Sequence, residues 1–269
     1  MRIGLIGCGR MGSALIKGAL EANVISASNI LLHSRTAESA QVLSKNTSAN
    51  ITKNNAELAK HSTVILLGCK PAQVAPILSE IKNSVNPETL IISIAAGISL
   101  NTMEAICNEG TRIIRVMPNT PSLIGFGAAG MAAGKCVTPT NINAAKTLFE
   151  AVGDVHIVEE FQLDAVTGLS GSGPAYVYNF IDSLAAQGVK EGLSYETALA
   201  LASQTVVGAA KMIQTTGETP RDLINQVTSP GGTTLAGLAA LSSHNFEQAV
   251  AAGMHAATER SREIAKGSS

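Results

Sequence analysis

Three spaced glycines near the start of the chain constrain its fold most. An apolar run at residues 3–6 leads directly into the motif Gly7-Cys8-Gly9-Arg10-Met11-Gly12, after which a helical pattern begins. Gly7 permits a tight turn, Gly9 lets the backbone approach a pyrophosphate, and Gly12 lets the helix pack closely on the strand. In this strand-to-helix context the motif predicts a dinucleotide site, and a purely structural glycine turn is the alternative.

Short apolar runs then alternate with helical segments. They lie at residues 3–6, 30–33, 64–68, 90–94 and 113–116, and they are rich in Ile, Leu and Val without polar alternation. This pattern is typical of parallel strands covered by helices on both faces. Further strands are expected at 128–132 and 155–158, separated by a helix near 141–152. We therefore expect an α/β fold in which residues 1–160 form a Rossmann-type, doubly wound sheet.

Helical patterns replace strand patterns after residue 160. Helices are expected at residues 172–192, 194–215, 220–227, 234–241 and 246–265. Ser172 and Ser194 are the expected N-caps of the first two, with Pro174 in the first turn of the earlier helix. Residues 161–269 are therefore predicted to form an all-α domain whose end, at 267–269, is frayed.

The helix at 194–215 is unusual in its lack of charge. It carries no charged side chain between Glu196 and Lys211, and its apolar and small residues go all the way round. A helix of this kind is buried on every side. A domain of roughly a hundred residues has too little mass to enclose it. We therefore expect a homodimer through the C-terminal helices; the alternative is a central helix enclosed within one subunit.

Charge and cysteine content exclude several classes of protein. A formal net charge of −1 provides no basic field for nucleic acid or an anionic membrane surface. The uncharged stretches at 165–181 and 197–210 are broken by glycine and proline or are too short to span a bilayer. Four scattered cysteines without a C-x-x-C pair are expected to be reduced, mostly buried thiols, with no metal site.

The start of the chain bears on its location. Its first apolar stretch is too short and too rich in glycine for the apolar region of a secretory signal. We therefore expect a cytoplasmic protein whose partner is a small molecule.

The end of the second predicted strand bears on the choice of dinucleotide. An NAD site would place a carboxylate there for the ribose hydroxyls, but this chain has His33-Ser34-Arg35-Thr36. Arg35, with the hydroxyls of Ser34 and Thr36, can hold a 2′-phosphate through charge-assisted hydrogen bonds. The sequence therefore favours NADPH over NADH; the alternative is that Arg35 is a solvated loop cation.

Two later strand ends carry further candidates. The segments Gly68-Cys69-Lys70-Pro71 and Ile94-Ala95-Ala96 lie where open α/β sheets bind ligands. Lys70, fixed by Pro71, can reach a ribose or a phosphate. The small side chains of Ala95 and Ala96 leave room for a nicotinamide. Either segment is also compatible with an ordinary turn.

A polar turn near the end of the chain is the candidate substrate element. Its sequence is Ser229-Pro230-Gly231-Gly232-Thr233-Thr234, and a helical pattern follows. A loop with two glycines before a helix can aim several N–H groups at a carboxylate without any arginine. The hydroxyl of Thr234 can then bond a ring nitrogen. A plain capping segment is an equally good interpretation of these residues alone.

The order of these motifs resembles that of a known family. They occur as GCGRMG, CKP, SIAAG, RVMPNTP (115–121), GLSGSGPAY (168–176) and SPGGTT (229–234). Six motifs in register across nearly the whole chain resemble the pyrroline-5-carboxylate reductase family. The resemblance implies a Rossmann-type domain, a helical dimerisation domain and dimers that can assemble further. It also implies the NAD(P)H-dependent reduction of 1-pyrroline-5-carboxylate to L-proline, the final step of proline biosynthesis.

The resemblance also assigns residues. It implies that Thr233 and Thr234 contact the substrate, that Thr234 bonds the ring nitrogen, and that Glu160 lies at the substrate. Positions that match dinucleotide contacts are Ile6, Gly7, Cys8, Gly9, Arg10, Met11, Ser34, Thr36, Asn55, Gly68, Cys69, Lys70, Pro71, Ile94, Ala95 and Ala96. The chain departs from the family at Cys69, where Val is common, and at Gln226, where a cofactor-contacting Asn is common.

The expected reaction asks little acid–base chemistry of the protein. Hydride transfer is the cofactor's chemistry, so the protein mainly aligns the substrate and excludes water. Thr234 is the expected catalytic residue, as an orienting hydrogen-bond partner and not as a strong acid. A 3-hydroxyacid dehydrogenase is the nearest rival, but Val177 stands where it needs a lysine. A silent NADPH-binding regulator is the other alternative, and the retained Gly-Gly turn argues against it.

Overall fold

The chain forms two compact units in the computed structural model. One unit comprises Met1–Ser172 together with the chain from Ala256 onward, and the other comprises Gly173–His255. Residues 1–267 are described by the structure, so Ser268 and Ser269 of the expected frayed end lie outside the described residues.

Packing extends the first unit beyond the boundary expected at residue 160. Leu163 is almost fully buried in the core on one face of the sheet. A Cβ added at Gly130, within the sheet, would lie 2.8 Å from Val166 Cγ2. Ser261 donates a 2.6 Å hydrogen bond to Asp164 Oδ1, which holds the end of the chain in the same unit. The functional division at residue 160 stays a prediction.

The first unit is built from alternating strands and helices. Its strands are β1 (Ile3–Ile6), β2 (Ile30–His33), β3 (Asn50–Ile51), β4 (Val64–Leu67), β5 (Leu90–Ser93), β6 (Arg112–Met117), β7 (Gly127–Ala133) and β8 (Gly153–Ile157). Its helices are α1 (Arg10–Glu21), α2 (Ala37–Thr47), α3 (Asn55–His61), α4 (Pro71–Ile81), α5 (Leu100–Ile106), α6 (Pro139–Glu150) and the short α7 (Leu163–Val166). All seven strand patterns of the sequence are confirmed, and the two-residue β3 was not predicted.

The strands form one sheet in the order β3-β2-β1-β4-β5-β6-β7-β8. Strands β1 to β6 pair in parallel, and Ile3 of β1 lies opposite both Ile30 and Val64. Leu5 and Leu66 belong to the core on one face, whereas Ile6 and Leu67 belong to the core on the other. The expected doubly wound α/β fold is confirmed. The chain order reverses between β1 and β4, so a ligand site is expected at the carboxyl ends of these strands.

One strand pair departs from the parallel arrangement. Strands β6 and β7 are antiparallel, with Val116 opposite Met131, whereas β7 and β8 are parallel. The chain between β6 and β7 holds only a 3-10 turn at Thr120–Ile124. A parallel return needs a crossover of about a dozen residues or more, so this short link reverses the strand direction.

The second unit is entirely helical in its regular structure. It contains α8 (Gly173–Lys190), α9 (Tyr195–Thr216), α10 (Pro220–Gln226), α11 (Thr233–Ser243) and the first part of α12 (Phe246–Gly267). Small residues line the contact between α8 and α9, where a Cβ at Gly188 would lie 3.1 Å from Ala198 Cβ. The rings of Phe180 and Phe246 lie 6.1 Å apart, which joins α8 to α12. Within residues 1–267, no helix is long and apolar enough to cross a membrane.

The two predicted serine caps had different outcomes. Ser194 is the N-cap of α9, and its hydroxyl accepts a hydrogen bond from Thr197 N at 3.2 Å. The cap predicted at Ser172 is wrong, because Ser172 has helical backbone angles and donates its N–H to Thr167 O at 2.8 Å. The preceding residues, Thr167–Gly171, form a turn of π-helix. The chain at Ser172 is therefore already helical, and α8 continues from the preceding turn without an N-cap at Ser172.

Candidate dinucleotide and substrate sites

A cavity of about 640 Å³ opens at the carboxyl ends of β1, β2 and β4. The predicted cofactor residues that line it are Ile6, Gly7, Cys8, Gly9, Ser34, Arg35, Thr36, Asn55, Gly68, Cys69 and Lys70. These residues come from four separate stretches of sequence. The fold therefore gathers them at the edge of the sheet where the strand order reverses.

The first two glycines of the motif shape the floor of this cavity. Gly7 has a φ of +95°, and a Cβ there would lie 2.8 Å from Cys69 N, so only glycine fits both the angle and the space. A Cβ at Gly9 would meet nothing closer than Gly68 O at 3.7 Å. Gly9 is the N-cap of α1, and no side chain caps the helix there. The first N–H groups of α1 are thus available to an anion such as a pyrophosphate.

The loop after β2 provides a cation and hydroxyls at the same cavity. Arg35 is exposed and makes no ion pair within the described residues 1–267. Thr36 is the N-cap of α2, but its hydroxyl makes no capping hydrogen bond. The guanidinium and this hydroxyl are therefore available to an external anion. A 2′-phosphate fits this donor set.

Asn55 provides a further test of whether the cavity fits a dinucleotide. Its Nδ2 donates a 2.8 Å hydrogen bond to Glu80 Oε2. Its Oδ1 is buried and is the one buried side-chain polar atom without a partner among residues 1–267. Buried acceptors are normally satisfied, so this oxygen is suited to a donor on a ligand. Ribose hydroxyls are donors of this kind, and the residues present fit the predicted cofactor.

One face of α4 also lines the cavity and was missed from the sequence. Gln73, Pro76, Ile77 and Glu80 all face it, together with His33 and Ser39 from the β2 side. The α4 residues recur at helical spacing after the Lys70-Pro71 motif. That periodicity is the signal that could have identified them.

Some predicted cofactor residues lie outside the cavity lining. They are Arg10, Met11, Gly12, Pro71, Ile94, Ala95 and Ala96. Gly12 is buried, and a Cβ there would lie 2.8 Å from Leu5 Cδ1, so it serves the packing of α1 on β1. Pro71 is the first residue of α4. Ile94 follows β5 and donates its N–H to Leu67 O at 3.2 Å, next to the end of β4.

The turn at 229–232 lies in the helical unit and leads into α11. Gly231 has a φ of +74°, and Gly232 N donates to Ser229 O at 2.9 Å, which closes the turn. Gly232 is the N-cap of α11, and no side chain caps this helix. Within residues 1–267 the hydroxyls of Thr233 and Thr234, both exposed, make no hydrogen bond. The N–H groups and hydroxyls at this end of α11 are thus free to bind a carboxylate.

Comparison with known proteins decides the family. Residues 160–264 match the family model described as pyrroline-5-carboxylate reductase dimerisation, and residues 2–97 match the model described as NADP oxidoreductase coenzyme F420-dependent. The pyrroline-5-carboxylate reductase of Methanosarcina acetivorans is 41% identical over 265 residues, covering 98% of both chains.

The chain belongs to the pyrroline-5-carboxylate reductase family.

Two solved structures extend the likeness to three dimensions. A pyrroline-5-carboxylate reductase from Coxiella burnetii has a TM-score of 0.93 and is 33% identical, with 98% of each chain covered. The pyrroline carboxylate reductase of Plasmodium falciparum, solved with NADP bound, has a TM-score of 0.87 and is 35% identical, again over 98% of each chain. The family resemblance predicted from the motifs is therefore confirmed along the whole length.

Glu160, a substrate residue by family resemblance, is anchored inside the first unit. Its Oε1 accepts hydrogen bonds from Arg115 NH1 and from the backbone N–H of Leu100, each at 2.6 Å. Leu100 is the first residue of α5. The carboxylate thus fixes the start of α5 to β6. It thereby holds the end of the loop that runs from β5 to α5 and carries Ile94, Ala95 and Ala96. This role was not predicted from the sequence.

Gln226, which stands where the family commonly has Asn, is bonded within the helical unit. Its side-chain amide donates to Glu218 Oε2. The neighbouring Val227 ends α10 and is exposed. An amide already bound to a carboxylate is a weaker candidate for a cofactor contact than a free one.

The cysteines at the dinucleotide cavity are neutral at physiological pH. Burial raises the pKa of both Cys8 and Cys69 from 9.0 to about 11. A neutral thiol does not repel a pyrophosphate and is a poor nucleophile. Cys8 is buried, Cys69 and Cys107 are half-buried and Cys136 is exposed, so the expectation of mostly buried cysteines is met only in part.

Proposed function

We propose that this chain reduces the C=N bond of 1-pyrroline-5-carboxylate to give L-proline, with NADPH as hydride donor and NADH as a weaker alternative. The observation that carries the proposal is that one chain contains both a dinucleotide cavity and the Ser229–Thr234 turn, which leads into the uncapped N-terminus of α11. Relatives named pyrroline-5-carboxylate reductase match along almost the full length. The Plasmodium falciparum relative binds NADP.

The first unit binds the cofactor in this proposal. The N-terminus of α1 holds the pyrophosphate. The chain reaches it through Gly7 and Gly9, and the flanking residues are Ile6, Cys8, Arg10, Met11 and Gly12. Ser34, Arg35 and Thr36 hold the 2′-phosphate, and Asn55 accepts from a ribose hydroxyl. Lys70, with Gly68, Cys69 and Pro71, contacts a ribose or phosphate, and Ile94, Ala95 and Ala96 border the nicotinamide.

The helical unit binds the substrate through its turn. Gly231 and Ser229 present a backbone and a hydroxyl donor to the substrate carboxylate, Gly232 closes the turn that positions them, and Thr233 adds a second hydroxyl. Thr234 bonds the ring nitrogen. Glu160, held by hydrogen bonds from Arg115 and from the backbone of Leu100, lies at the substrate. When bound, NADPH supplies the hydride that the imine carbon accepts.

Thr234 orients the substrate and does not act as a strong acid. An alcohol without a perturbing neighbour donates protons poorly at neutral pH, and solvent can protonate the imine before it binds. The protein's remaining contribution is to hold the reacting carbons in line and to exclude water.

The assembly and location follow the same proposal. The match to a dimerisation model and the exposed apolar side chains of α9 support a homodimer through the C-terminal helices. A higher oligomer of dimers and a cytoplasmic location remain predictions.

Replacing Thr234 by Ala tests the substrate assignment. We expect kcat/KM for pyrroline-5-carboxylate to fall by roughly 10- to 100-fold, because one hydrogen bond to the reacting ring is lost. The dissociation constant for NADPH should stay unchanged. The value of kcat/KM is measured from the oxidation of NADPH, followed by absorbance at varied substrate concentration. The dissociation constant for NADPH is measured by fluorescence titration.

Thr228→Ala is the matched control, because the Thr228 hydroxyl already donates to Ile224 O at 3.0 Å within the protein. Its kcat/KM should stay close to that of the parent chain. Unchanged turnover in Thr234→Ala would remove Thr234 from the mechanism. A parent chain that oxidises no NADPH with this substrate would overturn the function itself.

A further inference from the structure

The dinucleotide cavity contains a carboxylate, Glu80, whose role the proposed function leaves open and which is hydrogen-bonded to Asn55. Glu80 reaches the cavity from α4 and Asn55 reaches it from the start of α3. They are joined by the 2.8 Å hydrogen bond from Asn55 Nδ2 to Glu80 Oε2. Glu80 is exposed, and it forms no ion pair within residues 1–267. Its charge is therefore not cancelled by a neighbouring side chain.

The hydrogen bond fixes which way the Asn55 amide points. A flip of the amide would place Oδ1 against the Glu80 carboxylate, so two acceptors would face each other and the bond would be lost. Glu80 therefore holds Oδ1 in its buried position, where it has no partner within residues 1–267. The pair contains two acceptors, the exposed Glu80 carboxylate and the buried Asn55 Oδ1, and it contains no cation.

Two acceptors suit a hydroxyl donor and disfavour a phosphate. We propose that Glu80 joins Asn55 in binding a hydroxyl of the dinucleotide's adenosine ribose, and that Glu80 sets how strongly the cavity prefers NADPH to NADH. This inference rests on the proposed use of a nicotinamide dinucleotide. NADH carries hydroxyls at both ribose positions, whereas NADPH replaces one of them with an anion that a carboxylate repels.

The same cavity contains the opposite charge at Arg35 and Lys70, which lie on two other segments of the chain. Arg35 follows β2 and attracts a 2′-phosphate, while Glu80 on α4 acts against it. An NAD site commonly places its carboxylate at the end of the second strand. Here the carboxylate comes from α4, in a different part of the sequence. Selectivity then depends on the balance of Arg35 and Glu80, with Asn55 as the positioning residue.

The test measures binding of NADP⁺ and NAD⁺ by isothermal titration calorimetry to the full chain and to Glu80→Gln. Glutamine keeps an acceptor for Asn55 but removes the charge. We expect tighter NADP⁺ binding and weaker NAD⁺ binding, so that the ratio of the two dissociation constants shifts roughly tenfold towards NADP⁺. The shift should shrink when salt rises from about 50 mM to about 500 mM, since the Debye length falls.

Glu109→Gln is the matched control, since Glu109 is an exposed carboxylate outside the cavity lining. Its ratio should equal that of the parent chain. Glu80→Lys should shift the ratio further in the same direction as Glu80→Gln. The proposal is overturned if both Glu80 variants leave the ratio unchanged, shift both constants equally, or show no dependence on salt.

Binding without substrate separates this inference from the proposed function. A chain that binds both dinucleotides with the expected ratios but turns over no pyrroline-5-carboxylate would refute the reaction and retain the role of Glu80. A chain that reduces this substrate, but whose ratio ignores Glu80, would do the reverse.

Discussion

The two units differ in how they dispose of apolar surface. In the first, Ile3, Leu5 and Leu66 are fully buried, and a core fills each face of the sheet. In the second, Leu201 is 57% exposed and Val207 is 47% exposed, although both lie in the middle of α9. The first unit thus covers its own core. The helical unit leaves apolar surface that is costly to hydrate, at about 25 cal/mol per Å².

The contrast indicates which part of the molecule needs a partner. The buried residues of α9 are Ala198 and Ala202, four apart on the side that packs on α8. Larger apolar side chains elsewhere on the helix, at Leu201, Val207, Met212 and Ile213, are exposed. A second copy that covers them explains why so apolar a helix carries little charge along its length.

Replacing Val207 by Arg should have the largest effect and would break this contrast directly. A charge placed in an apolar interface has no partner, so we expect the dissociation constant of the dimer to rise about a thousandfold. This corresponds to a loss of roughly 4 kcal/mol in the free energy of association. Sedimentation equilibrium measures the dissociation constant. Val42→Arg is the control, since Val42 is 55% exposed on α2 of the other unit, and the dimer should survive it. Equal dissociation in both variants, or a monomeric parent chain, would contradict the assignment.

Replacing Gly7 by Ala tests whether the first unit tolerates any added volume at its cavity. The Cβ would lie 2.8 Å from Cys69 N while φ stays at +95°. Backbone strain and overpacking together should cost about 3 kcal/mol of unfolding free energy. The same variant should lose most of its affinity for NADP⁺. Urea unfolding and calorimetry measure the two effects.

Gly110→Ala separates backbone strain from crowding. Gly110 also has a positive φ, +83°, but nothing lies within 4 Å of the added Cβ. Strain alone should then cost about 1 kcal/mol. If Gly7→Ala destabilises the chain no more than Gly110→Ala does, close packing at the cavity is not what requires glycine there.

The same difference decides what could be predicted from the sequence. The strands of the first unit were predicted because each is a continuous apolar run between turn residues, and burial on both faces demands that pattern. The cap at Ser194 was predicted because its signal is local. The cap at Ser172 failed because an N-cap needs non-helical angles, and the helical turns just before it determine the conformation at Ser172.

The candidate site shows a similar division. Gly7, Gly9 and Arg35 were predicted because each belongs to a short motif that directly follows a strand. Glu80 and the Arg115–Glu160 pair depend on contacts across 25 and 45 positions of sequence, which no local pattern specifies. Reversal of β7 was likewise set by the length of its connection. Apart from the two-residue β3 and the turn before α8, the elements were predicted, and the long-range contacts between them were not.

Replacing Arg115 by Met asks whether polar contacts as well as apolar ones close the first unit. The Arg115 side chain is 13% exposed, its bond to Glu160 Oε1 is 2.6 Å, and the same oxygen accepts from Leu100 N. Removing the guanidinium leaves a partly buried carboxylate with one fewer donor. Because Glu160 is 32% exposed, solvent screens part of the loss, and we expect about 2 kcal/mol of destabilisation in urea unfolding.

Arg260→Met is the matched comparison for this last prediction. Arg260 also lies 2.6 Å from its partner, Glu263, but the two side chains are 70% and 61% exposed. An exposed pair of this kind contributes less than about 0.5 kcal/mol, so the variant should unfold almost like the parent chain. Identical distances with different burial isolate the effect of solvent. If the two variants lose the same stability, Arg115 is no more than a surface charge, and apolar packing alone closes the first unit.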